Sequence, residues 1–330
     1  MKNLNLLYFI VILFSANCYS QITNENQLLL VKTARYIYTQ QHTFNTIKAT
    51  FPEQKSAVGI AESEFNKNFG TAIAMVDTET KNLLGDKYET FLTNLSQELD
   101  DNSKQKKITE KSANAFVLNS VQKQIESPVL ETLLKYEYIN NPVDEFLANH
   151  INIYTVRSYS NFEKFNFTIH IPKSWTELDG SDSSMLKKFR SEYNTGNQII
   201  TITKKSYNIT ENQLNTGILF SDKEMREMAP ADSKIVSITN KKINSELASI
   251  IQYEQTNPTI GSNQKRYIIK YLLISQNNLV EITCTNYGAA DDNLVLQFQK
   301  FYPLYESIVK SASPNDGSDN NLFSSTKNKL

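Results

Sequence analysis

Reactive and metal-binding side chains are scarce in this 330-residue sequence, which has two cysteines, three histidines and one tryptophan. His42, His150 and His170 have no partner at the spacing of a His-x3-His or His-Glu-x2-His metal motif. The G-x-S-x-G, Walker and G-x-G-x-x-G patterns are missing as well. The sequence therefore predicts no catalytic residue, no metal ligand and no cofactor site, and it favours a non-enzyme without excluding an enzyme.

An excess of charge of one sign is also lacking. The 34 Lys and Arg residues stand against 35 Asp and Glu residues, which leaves a net charge of −1. A near-neutral chain has no electrostatic footprint for nucleic acid, so we predict no nucleic-acid partner. Glycine and proline are few, at 9 and 8 residues, and this argues against a long linker. The hydrophobic fraction of 40% is enough for a sizeable core, and the length suggests about two domains.

Long hydrophobic runs are confined to the beginning of the chain. Lys2 precedes the apolar run Leu6 to Phe14, which is too short for a membrane-spanning helix and has the length of a signal-peptide core. Small residues before position 21 predict cleavage after Ser20, so residues 1–20 are interpreted as a signal peptide. The alternative is a lipoprotein anchored at Cys18. We therefore predict an exported, periplasmic or extracellular protein with no transmembrane segment after cleavage.

Cleavage would leave Cys284 as the only cysteine, so no intramolecular disulfide is predicted. Cys284 alternates with Val280 and Ile282, and this period of two predicts that its side chain points into a core as a small hydrophobe. A nucleophilic role is the alternative.

Residues 22–150 show the three- and four-residue spacing of amphipathic helices. The first helix is expected to end near Phe51-Pro52, because the residue before proline avoids helical geometry. Ser127-Pro128 and Asn141-Pro142 each combine an N-cap with a proline at the first helical position. We predict a bundle of four to six helices, and at Gly70 we expect a neighbouring helix to pack closely.

From residue 151 the period changes toward two, and β-branched and aromatic residues become frequent. Phe167, Ile169 and Ile171 share one face of a strand that Pro172 ends. Further strands follow to about residue 286, and a final helix is expected to be kinked or divided by Pro303. The simplest packing is one mainly antiparallel sheet covered by helices. The polar segment 313–330 is predicted to be a disordered tail.

Several of these segments resemble the PsbP-like family. The resemblance rests on Phe167 to Pro172 followed by Trp175, on Ala248 with Tyr253, on the strand Asn278 to Cys284, and on the terminal helix with Phe298, Phe301, Pro303, Ile308 and Val309. It covers about residues 163–312 and implies an α/β/α sandwich, as also found in a nuclear Ran-binding release factor. Asn244 and Ser245 depart from the family, which often has a glycine in that turn. The expected fold class is thus α+β, a helical bundle (22–150) followed by a PsbP-like sandwich (151–312).

The resemblance implies a non-enzymatic binding or assembly module, and export points to the bacterial cell envelope. The expected partner is an envelope protein or a small ligand. The alternative is a secreted hydrolase whose site gathers His170 or another histidine with carboxylates from distant parts of the chain. Trp175 is predicted to be buried against the final helix.

Two polar patterns suggest chemistry only weakly. Asp179-Gly180-Ser181-Asp182 recurs as Asp316 to Asp319, but neither copy has the spacing of an EF-hand loop, and both are interpreted as polar turns. The basic stretch Lys187 to Arg190 is interpreted as a solvated strand face, with phosphate binding as the alternative.

Overall fold

The structure is a computed structural model of the chain. It describes residues 25–121, 125–160, 163–179, 185–194, 196–257, 264–275, 278–289 and 292–314. The predicted signal peptide lies outside these residues. Within them, no helix combines the length and the apolar composition that crossing a membrane requires.

The N-terminal part of the described chain is helical. Its helices are α1 (Glu25–Thr50), α2 (Lys55–Leu84), α3 (Tyr88–Gln105), α4 (Glu110–Val121) and α5 (Ser127–Glu137). α1 ends immediately before Phe51-Pro52 and α5 begins at Ser127-Pro128, as the prolines predicted. A glycine with φ of 52°, Gly85, separates α2 from α3, because only glycine adopts this conformation without strain. Aliphatic and phenylalanine side chains from α1, α2, α4 and α5 form the main core of this unit.

The helix α2 has a kink in its middle, at Phe69 (φ −139°, ψ 21°). The N–H of Ala72 donates to Oε2 of Glu137 on α5 at 2.9 Å. A side chain from another helix therefore accepts a hydrogen bond from a backbone amide of α2 next to the kink. The prediction of close packing at Gly70 is wrong: Gly70 is exposed, and a Cβ built on it would meet no atom within 4 Å. Gly70 follows the kink residue directly, and its missing side chain leaves the backbone freer to bend.

The chain divides into two compact units between Ile139 and Asn140. The short helix α6 (Pro142–Leu147) therefore belongs to the second unit, whereas the sequence patterns placed it in the helical half. The reason is packing, because Val143 and Phe146 contact the core of the second unit. We refer to the helical unit (up to Ile139) and the sheet unit (from Asn140).

The sheet unit is built mainly from antiparallel strands. Its strands are β1 (Ile151–Ser160), β2 (Glu163–Pro172), β3 (Thr176–Leu178), β4 (Met185–Arg190), β5 (Gln198–Ser206), β6 (Lys234–Ile243), β7 (Glu246–Asn257), β8 (Gln264–Ser275), β9 (Asn278–Ala289) and β10 (Ser313–Pro314). Its remaining helices are α7 (Ser191–Asn194), α8 (Glu211–Thr216), α9 (Asp222–Glu227) and α10 (Leu294–Ser311). The α+β fold class, with a helical region before a mainly antiparallel sheet region, is confirmed.

The described strands form two sheets, not the single sheet that the sequence predicted. The larger has seven strands in the order β3-β4-β5-β9-β8-β7-β6, and the smaller has three in the order β1-β2-β10. β2 lies in the middle of the smaller sheet: β1 pairs along one of its edges, and Ser313–Pro314 pair with Thr168 and Phe167 on the other. The predicted tail thus begins with two paired residues, and positions 315–330 lie outside the described residues.

The helix α10 packs between the sheets and carries much of the main core. Trp175 is 4% exposed, and its ring meets that of Phe301 edge-to-face at 6.5 Å, which confirms its predicted burial against the final helix. The helix is not divided at Pro303, which was one of the two expected outcomes, since α10 runs through it from Leu294 to Ser311. Buried residues on both sides of Pro303 hold the helix in place: Phe298, Phe301, Leu304, Tyr305, Ile308 and Val309.

The turn at which the sequence departs from the PsbP-like family is a two-residue hairpin loop. Ile243 pairs with Glu246, and the intervening Asn244 and Ser245 have φ of 50° and 70°. This is the backbone that a glycine would favour, and asparagine tolerates it better than most residues. Nδ2 of Asn244 also donates to the carbonyl oxygens of Lys310 (2.7 Å) and Ala312 (3.1 Å), so the turn is tied to the end of α10.

Candidate functional site

Cys284 lies in the core, as its alternation with valine and isoleucine predicted. The side chain is fully buried, and burial raises the pKa of the thiol well above its usual value. A thiol that stays protonated and shielded from solvent does not act as a nucleophile.

His42 is the histidine with the most suggestive surroundings. Its Nε2 is 2.9 Å from Oδ1 of Asp100 on α3, and its Nδ1 is 3.4 Å from Oγ1 of Thr46. The Thr46 hydroxyl, however, donates to the His42 carbonyl at 2.9 Å, which occupies its only proton. The depression beside Asp100 is lined entirely by residues of α3, so it is an open helix face.

The other predicted candidates do not converge. His170 lies on β2 opposite Ile153 of β1, and its backbone N–H donates to Oγ of Ser311 at 3.0 Å. His150 directly precedes β1 and accepts a backbone bond from Lys173. The described part of the chain contains no group of three His, Cys, Asp or Glu side chains able to hold a metal ion. Residues 180–184, with most of the first Asp-Gly-Ser-Asp turn, and the whole second turn lie outside the described residues.

The basic stretch on β4 is split between the two faces of the sheet. Lys187 contacts Glu177 as an ion pair, and its Nζ is 6.0 Å from the centre of the Tyr154 ring. Phe189 is fully buried on that same face. Lys188 and Arg190 point to the opposite face, so the stretch does not act as a single cationic patch.

A buried carboxylate fixes the turn after β2. Glu145 of α6 accepts hydrogen bonds from the N–H (2.8 Å) and the hydroxyl (2.5 Å) of Ser174. Burial raises the pKa of Glu145 to about 7, and the hydrogen bonds from Ser174 and the charge of Lys173 only partly offset that rise. This group holds Trp175 and its turn in place, which is a structural role.

The outer edge of β1 is the candidate recognition feature of the sheet unit, because β1 is an edge strand of the smaller sheet. The N–H of Lys173 donates to the carbonyl oxygen of His150 at 3.0 Å, so the backbone groups of this pair point toward each other. Along an antiparallel pair, residues whose backbone groups point toward the partner strand alternate with residues whose backbone groups point away from it. Ile151, Ile153 and Thr155 therefore turn their N–H and C=O groups away from β2.

The same alternation applies to β2. Its residues Thr168 and His170 turn their backbone N–H and C=O groups away from β1. Thr168 pairs there with Ser313, and the N–H of His170 meets Oγ of Ser311. The chain has thus covered one edge of this sheet with its own C-terminal residues. At the β1 edge, no described residue hydrogen-bonds to the outward groups of Ile151, Ile153 or Thr155.

β1 is a regular strand that is anchored to the core. Its inward-facing Tyr154 packs on the Phe189 ring at a centroid distance of 4.7 Å, and pairing with β2 continues without a bulge from Ile151 to Ser160. Ile153, on the outer face, is 63% exposed. The edge therefore combines an exposed apolar side chain with backbone groups that have no partner among the described residues.

The other sheet edges are protected against pairing. β6, at one end of the larger sheet, has a bulge between Ile235 and Ser237 and carries Lys234, Lys241 and Lys242. β3, at the other end, has three residues. Bulges, lysines and shortness are the usual ways to prevent edge-to-edge association. β1 has none of these three features.

The sequence interpretation did not single out Ile153 or Thr155. The signal was present, because the run Ile151-Asn152-Ile153-Tyr154-Thr155 is β-forming and has no lysine, proline or glycine. Whether such a run lies at an edge or inside a sheet depends on strand order, which the run itself does not encode.

Comparison with known proteins gives structural likenesses only. No family model and no curated protein sequence matches the chain. Among solved structures, cyanobacterial PsbP from Synechocystis matches with a TM-score of 0.34 and 12% identity, over 50% of this chain and 93% of that protein. The family that the strand and helix motifs resemble is thus among the structural matches.

Two other matches have similar scores. LpqN, described as involved in cell envelope biogenesis of Mycobacterium tuberculosis, has a TM-score of 0.33 and 12% identity, over 53% of this chain and 97% of LpqN. A protein of Bacteroides thetaiotaomicron has a TM-score of 0.29 and 10% identity, over 46% of each chain. At TM-scores this low, the likenesses carry no argument about function.

Proposed function

We propose that this chain is an exported, non-enzymatic binding or assembly module of the bacterial cell envelope, and that it binds an extended segment of a partner protein at β1. The observation that supports this proposal is the regular, unprotected outer edge of β1. An added strand would pair with the backbone of Ile151, Ile153 and Thr155, and backbone pairing of this kind provides affinity. Exposed Ile153 favours a partner segment with an apolar residue opposite it.

A proline at position 155 tests the edge selectively. The N–H of Thr155 points outward, so Thr155→Pro removes a donor from the edge and none from the β1–β2 ladder. Thr155→Ala is the matched control, because it removes the same side chain and keeps the donor. We expect the wild type and Thr155→Ala to capture the same protein from envelope extracts, and Thr155→Pro to lose it.

Hydrogen exchange then locates the contact. The amides of Ile151, Ile153 and Thr155 should exchange rapidly in the free protein and become protected in the complex. A second pair of variants introduces a charge. Ile153→Lys should weaken capture, whereas the control Ile60→Lys, at an isoleucine of α2 that is 60% exposed, should not. Failure to capture any protein reproducibly, or equal capture by Thr155→Pro, would refute the proposal.

A second copy of the chain is the competing occupant of the edge. Sedimentation of the purified protein separates the two cases. A dimer that Thr155→Pro converts to a monomer would assign the edge to self-association and overturn the partner-segment proposal.

The hydrolase alternative has its best geometry at His42, which contacts Asp100. It predicts hydrolysis of a chromogenic ester that both His42→Ala and Asp100→Asn abolish. Because the Thr46 hydroxyl donates to a backbone carbonyl, we expect no difference between the wild type and these variants. An activity lost in both variants would replace the non-enzymatic proposal.

A further inference from the structure

A small cavity, partly open to solvent, lies between α1 and α2 of the helical unit. Its volume is about 280 Å³. Its lining residues are Ala34, Ile37, Tyr38, Gln41, Ile73, Ala74, Val76 and Asp77. Most of this lining is aliphatic, and alanines on both helices leave the space open. A largely apolar cavity with a few polar groups is the usual form of a small-molecule site.

The polar end of the cavity is a carboxylate held by two phenols. Oδ1 of Asp77 accepts hydrogen bonds from the hydroxyl of Tyr38 at 2.7 Å and from that of Tyr88 on α3. The two phenol oxygens are themselves 3.0 Å apart. These contacts fix the orientation of the carboxylate before any ligand arrives, which lowers the cost of ordering it on binding.

Among the described residues, Asp77 has no cationic partner within ion-pair distance. Lys81, one turn further along α2, places its Nζ 5.9 Å from the centre of the Tyr88 ring and makes no ion pair with Asp77. Two other carboxylates of the helical unit are paired: Glu98 contacts Arg35, and Glu62 contacts Lys48. Asp77 differs from these two because it lines a cavity and has no ion-pair partner among the described residues.

We infer that this cavity binds a small organic cation with an apolar body. The ammonium group would meet the Asp77 carboxylate and the electron-rich face of Tyr38, while the body occupies the aliphatic part beside Ile37 and Ile73. Gln41 provides an amide for a further hydrogen bond. This site lies in the helical unit and does not depend on strand addition at β1.

Benzylamine and benzyl alcohol are matched probes for the inference, because they share size and aromatic body and differ in charge at pH 7. Titration of the full mature chain should show benzylamine binding at least about tenfold more tightly, the effect expected of one charge-assisted hydrogen bond. Asp77→Asn should remove that preference. Asp101→Asn, at an exposed carboxylate of α3 paired with Lys104, is the control and should keep it.

A second variant separates recognition from a purely structural role of the phenol–carboxylate cluster. Ala74 is exposed at the cavity and is not part of the phenol–carboxylate cluster, so Ala74→Leu should fold normally. The larger side chain should fill the space and reduce the binding of both probes about tenfold or more. A purely structural cluster predicts that Asp77→Asn lowers Tm while the two probes bind equally weakly to every variant. Equal affinities of the probes, or a preference that survives in Asp77→Asn, would overturn the inference.

Discussion

The helical unit and the sheet unit differ in the contacts that connect the elements within each of them. In the helical unit, polar side chains connect the helices: Arg35 contacts Glu98, and the hydroxyls of Tyr38 and Tyr88 meet at Asp77. In the sheet unit, the main core is a continuous apolar layer around α10. The difference bears on the two proposed sites. In the sheet unit the proposed contact is a strand edge, whereas in the helical unit it is a cavity that alanines of α1 and α2 leave open beside Asp77.

The largest effect is expected in the apolar layer. Trp175→Ala removes a side chain that is 4% exposed and contacts Phe301, so it should lower the free energy of unfolding by about 3–5 kcal/mol. Circular dichroism in urea is the measurement, because the variant has no tryptophan for fluorescence. A loss below about 1 kcal/mol would mean that the core closes around the missing ring, contrary to dense packing.

The pH dependence of the sheet unit should reveal Glu145, the one deeply buried carboxylate among its described residues. Its pKa rises from 4.5 to about 7 on folding, so folding favours the neutral form. The stabilisation is complete below pH 4.5 and is lost as the pH rises through 7, by about 3 kcal/mol in total. Urea unfolding at several pH values should show this decline in the wild type relative to Glu145→Gln. Parallel curves for the two proteins would contradict the assignment.

Removing polar contacts in the helical unit should have smaller effects on stability, and the effects of two such changes should be coupled. Tyr38→Phe and Tyr88→Phe each remove one hydrogen bond to Asp77 and should each cost about 1 kcal/mol. Because the two hydroxyls share one carboxylate oxygen, the double variant should deviate from additivity by about 0.5 kcal/mol or more. Strict additivity in thermal unfolding would show that the phenols act independently.

The sheet unit lacks a glycine where its backbone favours one. Ser245 has φ of 70°, so Ser245→Gly should relieve strain and stabilise the β6–β7 hairpin by about 0.5–1 kcal/mol. The measurement is the midpoint of urea unfolding. The same change at Ser233, outside this turn, serves as the comparison and should not stabilise. A destabilised Ser245→Gly would show that the serine side chain contributes more than the strain costs.

The helical unit has the opposite situation at Gly70, where a glycine occupies an exposed helical position with free space around it. Gly70→Ala should stabilise by about 0.5 kcal/mol, less than usual because the kink at Phe69 is adjacent. Gly85→Ala should destabilise, since Gly85 has φ of 52°. If Gly70→Ala lowers Tm instead, the glycine supports the kink.

Local patterns predicted the elements of this fold better than their assembly. The end of α1 at Phe51-Pro52 and the inward direction of Cys284 follow from rules that act within a few residues. The pairing of Ser313–Pro314 with β2 does not follow from such rules, because two residues show no periodicity.

The candidate sites were less predictable still. Tyr38, Asp77 and Tyr88 come from three helices, and their meeting depends on how those helices pack. Glu145 resembled any polar residue of a helix start, and only the turn at Ser174 explains its burial. The free edge of β1 needed strand order. In each case the missing information was the contact between distant segments.

The position of β10 has a consequence for the connectivity of the sheet unit. β1 is the first strand of this unit and β10 is the last described one, and both pair with β2, one on each side. Neighbouring strands lie about 4.8 Å apart, so Thr155 and Ser313, which both pair with Thr168, are separated by about 10 Å across β2. The described strand region therefore begins and ends beside the same strand. The pairing of Ser313 with Thr168 closes a long loop of chain, and the entropic cost of closing such a loop grows with its length.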